Sequence, residues 1–231
     1  METTAHSFDQ AWERFQALDS LQLVHDSSRL EWTRGRAQAL GFQVRLEGAA
    51  ARNHIEHVAG RIAGIAGVEP FPDWFWHVTV KGVGFQVIKR QHEDDVLRQE
   101  VPRIAEAARE VFSGESAFET RLGLASGFAS VVFLEVWDEG RMRQLNERLM
   151  EDMPNLHRYP IDGAGFLPHV SIAQFSSSEG LSELKAALAA LRSEGPGPSF
   201  TVRRVEFVKA WLIEDVAEFD VLATFALKPP R

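Results

Sequence analysis

Apolar residues recur along the chain at two spacings, one of about 3.6 and one of 2, and the alternation between them lays out the elements. Ser7-Phe8-Asp9-Gln10 carries Ser and Gln at capping-box spacing, and Phe8, Ala11, Trp12 and Phe15 follow on one helical face. Residues 19–36 hold no clear period, with Trp32 the expected anchor, so 1–36 reads as an N-terminal helical extension too short for a core of its own. From Ala39 to Leu46 apolar and polar residues alternate as in a half-buried strand, and Ile55, Val58, Ile62 and Ile65 then mark a helix over about 50–66. Pro70 and Pro72 break the chain before a strand through His77 that runs on towards Phe85 and Val87. A charged helix is expected near 93–112, with Leu97, Val101, Ile104, Ala108 and Val111 inward. Strands at 118–124 and 129–136 precede a helix marked by Met142, Leu145 and Leu149. A loop over 154–165 leads to a strand at His169, after which Ser176 and Glu179 offer capping-box spacing for a helix burying Leu181, Leu184, Leu188 and Leu191. A Gly-Pro turn at 195–198 and strands near 200–213 and 219–228 complete the chain.

Strand, helix, histidine strand therefore occurs twice. Leu46 precedes His77 by 31 residues and Val136 precedes His169 by 33, with little identity outside the histidine strands. The two strands carry near-identical tetrapeptides, His77-Val78-Thr79-Val80 and His169-Val170-Ser171-Ile172. Residues two apart on a strand share a face. His77 and Thr79 thus point one way, as do His169 and Ser171, while Val78, Val80, Val170 and Ile172 point to the packed side. A strand with one greasy face and an imidazole beside a hydroxyl on the other is unusual for a structural element, and here it is repeated.

At 231 residues, 45% hydrophobic and 25% charged, the chain has ordinary globular composition. It has no apolar run long enough for a membrane helix, and Met1–His6 lacks the basic flank and apolar block of a signal peptide. Zero cysteines exclude disulfides, thiolate metal sites and cysteine nucleophiles, and a cytoplasmic protein is expected. A net charge of −8 argues against binding along an extended duplex nucleic acid, while leaving room for one phosphate in a local pocket.

Two imidazoles facing one groove suit a reaction that removes a proton at one atom and delivers it at another. With an ordinary pKa near 6.5, one ring can be neutral and act as base while the other is protonated and acts as acid. Thr79 and Ser171 can donate hydrogen bonds to oxygens on which charge develops. Phosphodiester cleavage needs that set of parts and no metal. The paired tetrapeptides, 92 residues apart, resemble the H-x-[T/S]-hydrophobic signatures of the two-histidine (2H) phosphoesterase superfamily, nearest in layout to its 2′-5′ RNA ligase and RNA 2′,3′-cyclic phosphodiesterase branch. The resemblance spans roughly 37–228. It implies an α+β bilobal fold, two pseudo-symmetric β-sheet lobes flanked by helices around a central cleft, with approximate halves 37–125 and 126–231. It also implies His77 and His169 as the acid–base pair, Thr79 and Ser171 as phosphate-binding residues, and no cofactor. The expected partner is a small nucleotide or an RNA terminus carrying a cyclic phosphate, hydrolysed or, in reverse, ligated. Which histidine is acid and which base stays open, as does a rival in which the same fold binds a nucleotide without turning it over.

Lys81 continues the face of His77 and Thr79 and is a candidate for substrate binding, against the alternative of a solvated lysine. Phe75 shares the phase of His77 and is a candidate base-stacking ring, against a place in the core with Trp74, Trp76, Tyr159 and Phe166. His54 and His57, three apart on a helix, have metal-ligand spacing but no evident third ligand, so a solvated face is expected and no metal is assigned. Gly82-x-Gly84 is expected to mark a bulge or bend rather than a phosphate loop. Lys89-Arg90 and Arg203-Arg204 are expected at the surface, and His25, His92 and His157 carry no motif.

Overall fold

The structure is a computed structural model describing residues 7–24, 31–212 and 216–229; His25 falls outside them. Among the described residues ten strands join in one curled, almost wholly antiparallel sheet. They are β1 (Gln38–Arg45), β2 (Val68–Pro70), β3 (His77–Val87), β4 (Asp95–Leu97), β5 (Phe118–Gly127), β6 (Val131–Trp137), β7 (His169–Phe175), β8 (Ser199–Val202), β9 (Arg204–Trp211) and β10 (Glu218–Ala226). The order is β10-β9-β1-β3-β7-β6-β5-β8, with β2 added to β7 and β4 to β3. The helices are α1 (Phe8–Ala17), α2 (Ala49–Ile62), α3 (Val101–Ser113), α4 (Arg141–Asp152) and α5 (Leu181–Ser193).

The order is symmetric about the seam between β3 and β7, the two histidine strands. They meet at one residue pair, Val78 opposite Val170. Val78, Val80, Val170 and Ile172 are fully buried, as the alternation required. Each contributes about 1.5–3 kcal/mol of burial that a one-residue slip would forfeit, so the register, and with it the face that carries the histidines, is strongly specified.

The lobes do not coincide with halves 37–125 and 126–231. β9 and β10 join the sheet of β1 and β3, whereas β2 and β5 join that of β7 and β6. Helices cross over as well: α4, from the second strand–helix–strand unit, packs on β3, while α2, from the first, packs on β2 and β7. Each unit is completed by the other, which a pattern read along the chain does not reveal.

Local differences have local causes. Pro72 opens a 3-10 turn at Asp73–Phe75, so β3 begins at His77 and the aromatic cluster precedes it. The segment expected as one helix near 93–112 first pairs as β4, and the helix starts at Val101 with Pro102 in its first turn, where a missing N–H costs nothing. Leu97 therefore lies on a strand. Ser176 and Glu179 form no capping box; α5 starts after Gly180, and the Ser178 hydroxyl accepts from the backbone N–H of Leu21 instead. Ser7 does cap α1, accepting from the Gln10 N–H at 3.2 Å.

Two irregularities disturb β3. Gln43 faces Thr79 while Phe42 faces Lys81, so one extra residue is accommodated at Val80; Val83 is a second extra residue, between the Gly41–Gly82 and Leu40–Gly84 pairs. Gly84 has φ +140°, and a Cβ there would sit 2.1 Å from the Asp94 carbonyl oxygen, which accepts from the Phe85 N–H. The Gly82-x-Gly84 pattern thus marks a bulge. Gly84→Ala is expected to destabilise the protein by about 1–3 kcal/mol, the usual cost of a strained backbone position, read as a lowered urea midpoint; an unchanged midpoint would show that this bend is not constrained.

Candidate active site

Because Val78 stands opposite Val170, the antiparallel register carried one residue each way sets His77 across from Ser171 and Thr79 across from His169. The histidines are then diagonal neighbours on one face, a relation that typically separates residues by about 7–8 Å, and their Cβ atoms by somewhat less. Both rings are half-buried.

Each ring is anchored the same way. His77 Nδ1 lies 2.6 Å from the Phe75 carbonyl oxygen and His169 Nδ1 lies 2.7 Å from that of Leu167. A carbonyl only accepts, so Nδ1 carries the hydrogen and Nε2 keeps its lone pair when the ring is neutral. Each ring is also flanked by two phenyl rings, His77 by Phe75 and Phe219 at 5.3 and 5.0 Å, His169 by Phe128 and Phe133 at 5.2 and 5.1 Å. Burial among these rings lowers both pKa values from the usual imidazole range. That of His77 falls to about 4, burial being the main cause, with the charges of His169 and Arg45 adding and the Phe75 carbonyl opposing. His169 is lowered by burial against the pull of its Leu167 carbonyl.

Two cavities adjoin at this face. One, of about 530 Å³, is lined by His77 and Thr79 together with Phe71, Phe75, Phe219 and Gln43. The other, of about 390 Å³, is lined by His169 and Thr79 together with Arg14, Lys81, Phe128 and Asp162. Thr79, Gly82, Ser130 and Val131 line both, so Thr79 stands at the junction between the histidines. Ser171 is half-buried beside them in register but lines neither cavity.

Lys81 is placed differently from the expectation. The irregularity at Val80 breaks the alternation, and Lys81 is buried to 1% exposure. Its ammonium meets Asp162 Oδ2 at 2.9 Å, the His157 carbonyl at 2.7 Å and the Gly82 carbonyl, which uses its three hydrogens. Burial lowers its pKa and Asp162 works against that shift. The side chain holds the loop before β7 rather than offering a free charge. Phe75 lines the larger cavity, though it stacks on Phe71 with centroids 4.1 Å apart. His57 contacts Glu194 at 3.4 Å, and among the described residues no group of three or more His, Asp or Glu is placed to hold a metal ion.

Several residues that shape the site carried no motif. Asn146 is fully buried on α4, donating to the Val80 carbonyl and to Asp162 Oδ1, each at 2.9 Å, and accepting from the Gly163 N–H. Its signal was a polar residue in phase with Met142 and Leu149. Phe219, Ser130 and Gln43 arrive from β10, the β5–β6 turn and β1, and nothing in their local spacing marked them.

Residues 37–210 match the family model described as the 2'-5' RNA ligase superfamily. The chain belongs to that superfamily, the 2H phosphoesterases. Its fold is similar to that of TT0787 from Thermus thermophilus, at TM-score 0.61 and 18% identity, covering 84% of this chain and 100% of that one. Escherichia coli LigT in complex with 3'-AMP matches at TM-score 0.58 and 18% identity, covering 84% and 99%. A conserved protein of unknown function from Agrobacterium tumefaciens matches at 0.60 and 16%, covering 82% and 86%. No functionally curated protein matches the chain. In this 2H phosphoesterase the family match starts at residue 37, after the N-terminal extension.

Lys81→Met removes a charge while leaving the Asp162 carboxylate buried and unpaired, and a loss of about 3–5 kcal/mol in unfolding free energy is expected. A variant as stable as the parent would contradict the structural assignment of this lysine.

Proposed function

We propose that this 2H phosphoesterase is a cytoplasmic, metal-independent enzyme that hydrolyses 2′,3′-cyclic phosphates of RNA ends or small nucleotides. The observation that carries the reading is the pair of imidazoles on adjoining cavities, each with Nδ1–H tied to a carbonyl and Nε2 left for chemistry. Neutral imidazole at one side takes a proton from water, and the hydroxide forms a bond to phosphorus. The bond from phosphorus to one ribose oxygen breaks, and imidazolium at the other side delivers its proton to that oxygen. His77 and His169 are the catalytic pair. Thr79, at the junction, donates to a non-bridging oxygen, and Ser171, beside His169 on the same strand face, is the second candidate donor once substrate is seated. Phe75 offers an aromatic wall for a base. With a 5′-hydroxyl attacking in place of water, the P–O3′ bond breaking and the 3′ oxygen taking the proton, the same steps give 2′-5′ ligation.

The low pKa values fit this scheme. In the unliganded protein at pH 7 both rings are neutral, which suits the base. An anionic phosphate between them favours the charged form and raises both values, which supplies the acid once substrate is bound. LigT has been seen with 3'-AMP, with phosphate, with NADP+ and with ATP, ligands that all carry a phosphoryl group.

Nucleoside 2′,3′-cyclic monophosphates incubated in excess EDTA are expected to be turned over. His77→Ala and His169→Ala should each lower kcat by about 10²–10⁴-fold, with Thr79→Val and Ser171→Ala costing less. Tight binding without product would favour a nucleotide-binding module on the same fold, and wild-type turnover in either histidine variant would overturn the acid–base assignment.

A further inference from the structure

The described residues of the N-terminal extension border the face that carries the histidines. Ala11, Arg14, Phe15 and Leu18 line the cavity beside His169, and Gln22, Leu23 and Val24 line the one beside His77. The segment is fastened by its backbone. The Leu21 N–H donates to the Ser178 hydroxyl at 2.9 Å, Gln22 N–H to the Ala129 carbonyl at 2.7 Å, and Val24 N–H to that of Phe175 at 2.8 Å, while Lys185 donates to the Leu18 carbonyl at 2.6 Å. Phe15 is 1% exposed and sits so close to Gly127 that a Cβ there would come within 2.5 Å of its ring.

The two sides of the seam are unlike each other. Next to Thr79 stands Gln43; at the corresponding place next to Ser171 stands Phe133. Phe133 is fully buried in a small cluster with Ala11 of α1 and Leu167, against which Phe8 and Phe128 also pack. The extension therefore packs on Phe133, the neighbour of Ser171, and narrows the cavity beside His169, while the aromatic cavity around His77, which it only rims through Gln22, Leu23 and Val24, stays the larger. Among the described residues that line this open cavity there is no Lys or Arg. The neighbouring cavity has Arg14 and Lys81, and Lys81 is saturated by Asp162 and two carbonyls. A polynucleotide track needs a row of cations for its phosphates; among the described residues the two cavities show only Arg14 and the saturated Lys81, with Arg45 at the rim beside Phe219.

The open cavity instead has the chemistry of a nucleoside pocket, with Phe71, Phe75 and Phe219 for a planar base and a volume in the small-ligand range. Gln43 is 2% exposed; its Nε2 donates to Glu206 at 3.3 Å, and its Oε1 is buried without a hydrogen-bond partner. A buried acceptor left unpaired is costly, and an N–H of a nucleobase would satisfy it.

We infer that the N-terminal extension converts the cleft into a single-nucleotide site, so that this protein takes small nucleotide phosphates and discriminates against the ends of RNA chains. The base lies in the aromatic cavity with an N–H donor on Gln43 Oε1, and the phosphate lies by Thr79. The inference rests on the phosphoesterase reading for its substrate chemistry but not for its size limit, and the two can fail separately.

The test uses the full chain. Calorimetric titrations with adenosine 3′-monophosphate and with a ten-nucleotide RNA ending in adenosine 3′-phosphate should show the mononucleotide binding on the order of tenfold tighter or more, about 1.4 kcal/mol. Equal or tighter binding of the oligonucleotide, or binding of neither, overturns the size limit. Turnover of the matching 2′,3′-cyclic forms is measured alongside. Mononucleotide preference in binding with no turnover of either form leaves the size limit standing and removes the enzymatic reading; equal turnover of both does the reverse. In Gly127→Val the added side chain collides with Phe15, and lost hydrogen-exchange protection at Gln22 and Val24 reports the undocked extension. With the extension undocked the preference should fall towards one, and a preserved preference would show that it does not set the limit.

Discussion

Everything at the site follows from two strands meeting at Val78 and Val170. That one pair sets the register across the seam, and the register puts two imidazoles and two hydroxyls on one face as a crossed quartet. Four fully buried aliphatic side chains on the opposite face hold it there. The functional geometry is thus paid for by core packing on the reverse side of the same strands, and the histidines themselves carry little of the load. Asn146 and the Lys81–Asp162 pair support the arrangement from behind, tying α4 and the loop before β7 to the first histidine strand.

The near-symmetry of the seam is broken in the side chains around it. Both histidines use the same anchor, a ring N–H on the carbonyl two residues earlier, and both stand between phenyl rings. Around them the two sides diverge, because α1 and Phe133 narrow the cavity beside His169 while Gln43 and the rings of Phe71, Phe75 and Phe219 frame a larger hollow beside His77. In the proposed reaction a symmetric pair of imidazoles in an asymmetric enclosure suits attacking and leaving oxygens that belong to different molecules.

How much of this was legible along the chain depended on whether the cause was local. Period-two alternation around His77 and His169 exposed both the packed face and the chemical face, and the repeated order of strand, helix and histidine strand pointed to the family to which residues 37–210 belong. Where a second chain segment decided the outcome, the pattern was silent. Lys81 keeps the phase of His77 in the sequence, yet the extra residue at Val80 turns it inward. The exchange of strands and helices between lobes has no local signature. Residues 19–24 looked featureless because backbone N–H groups fasten them, and almost any side chain presents the same N–H.

In the proposed mechanism both imidazoles attend one phosphoryl group. Ring titrations of His77 and His169 by NMR, with and without adenosine 3′-monophosphate, show whether they do. Without ligand, His77 should titrate near pH 4 and His169 below the usual 6.5, each keeping its hydrogen on Nδ1 when neutral. Folding then weakens as pH falls from 6.5 towards 4, because the unfolded chain takes up the protons first. With the nucleotide bound, both titrations should move upward together. A ligand that shifts one ring and leaves the other untouched would contradict the shared site.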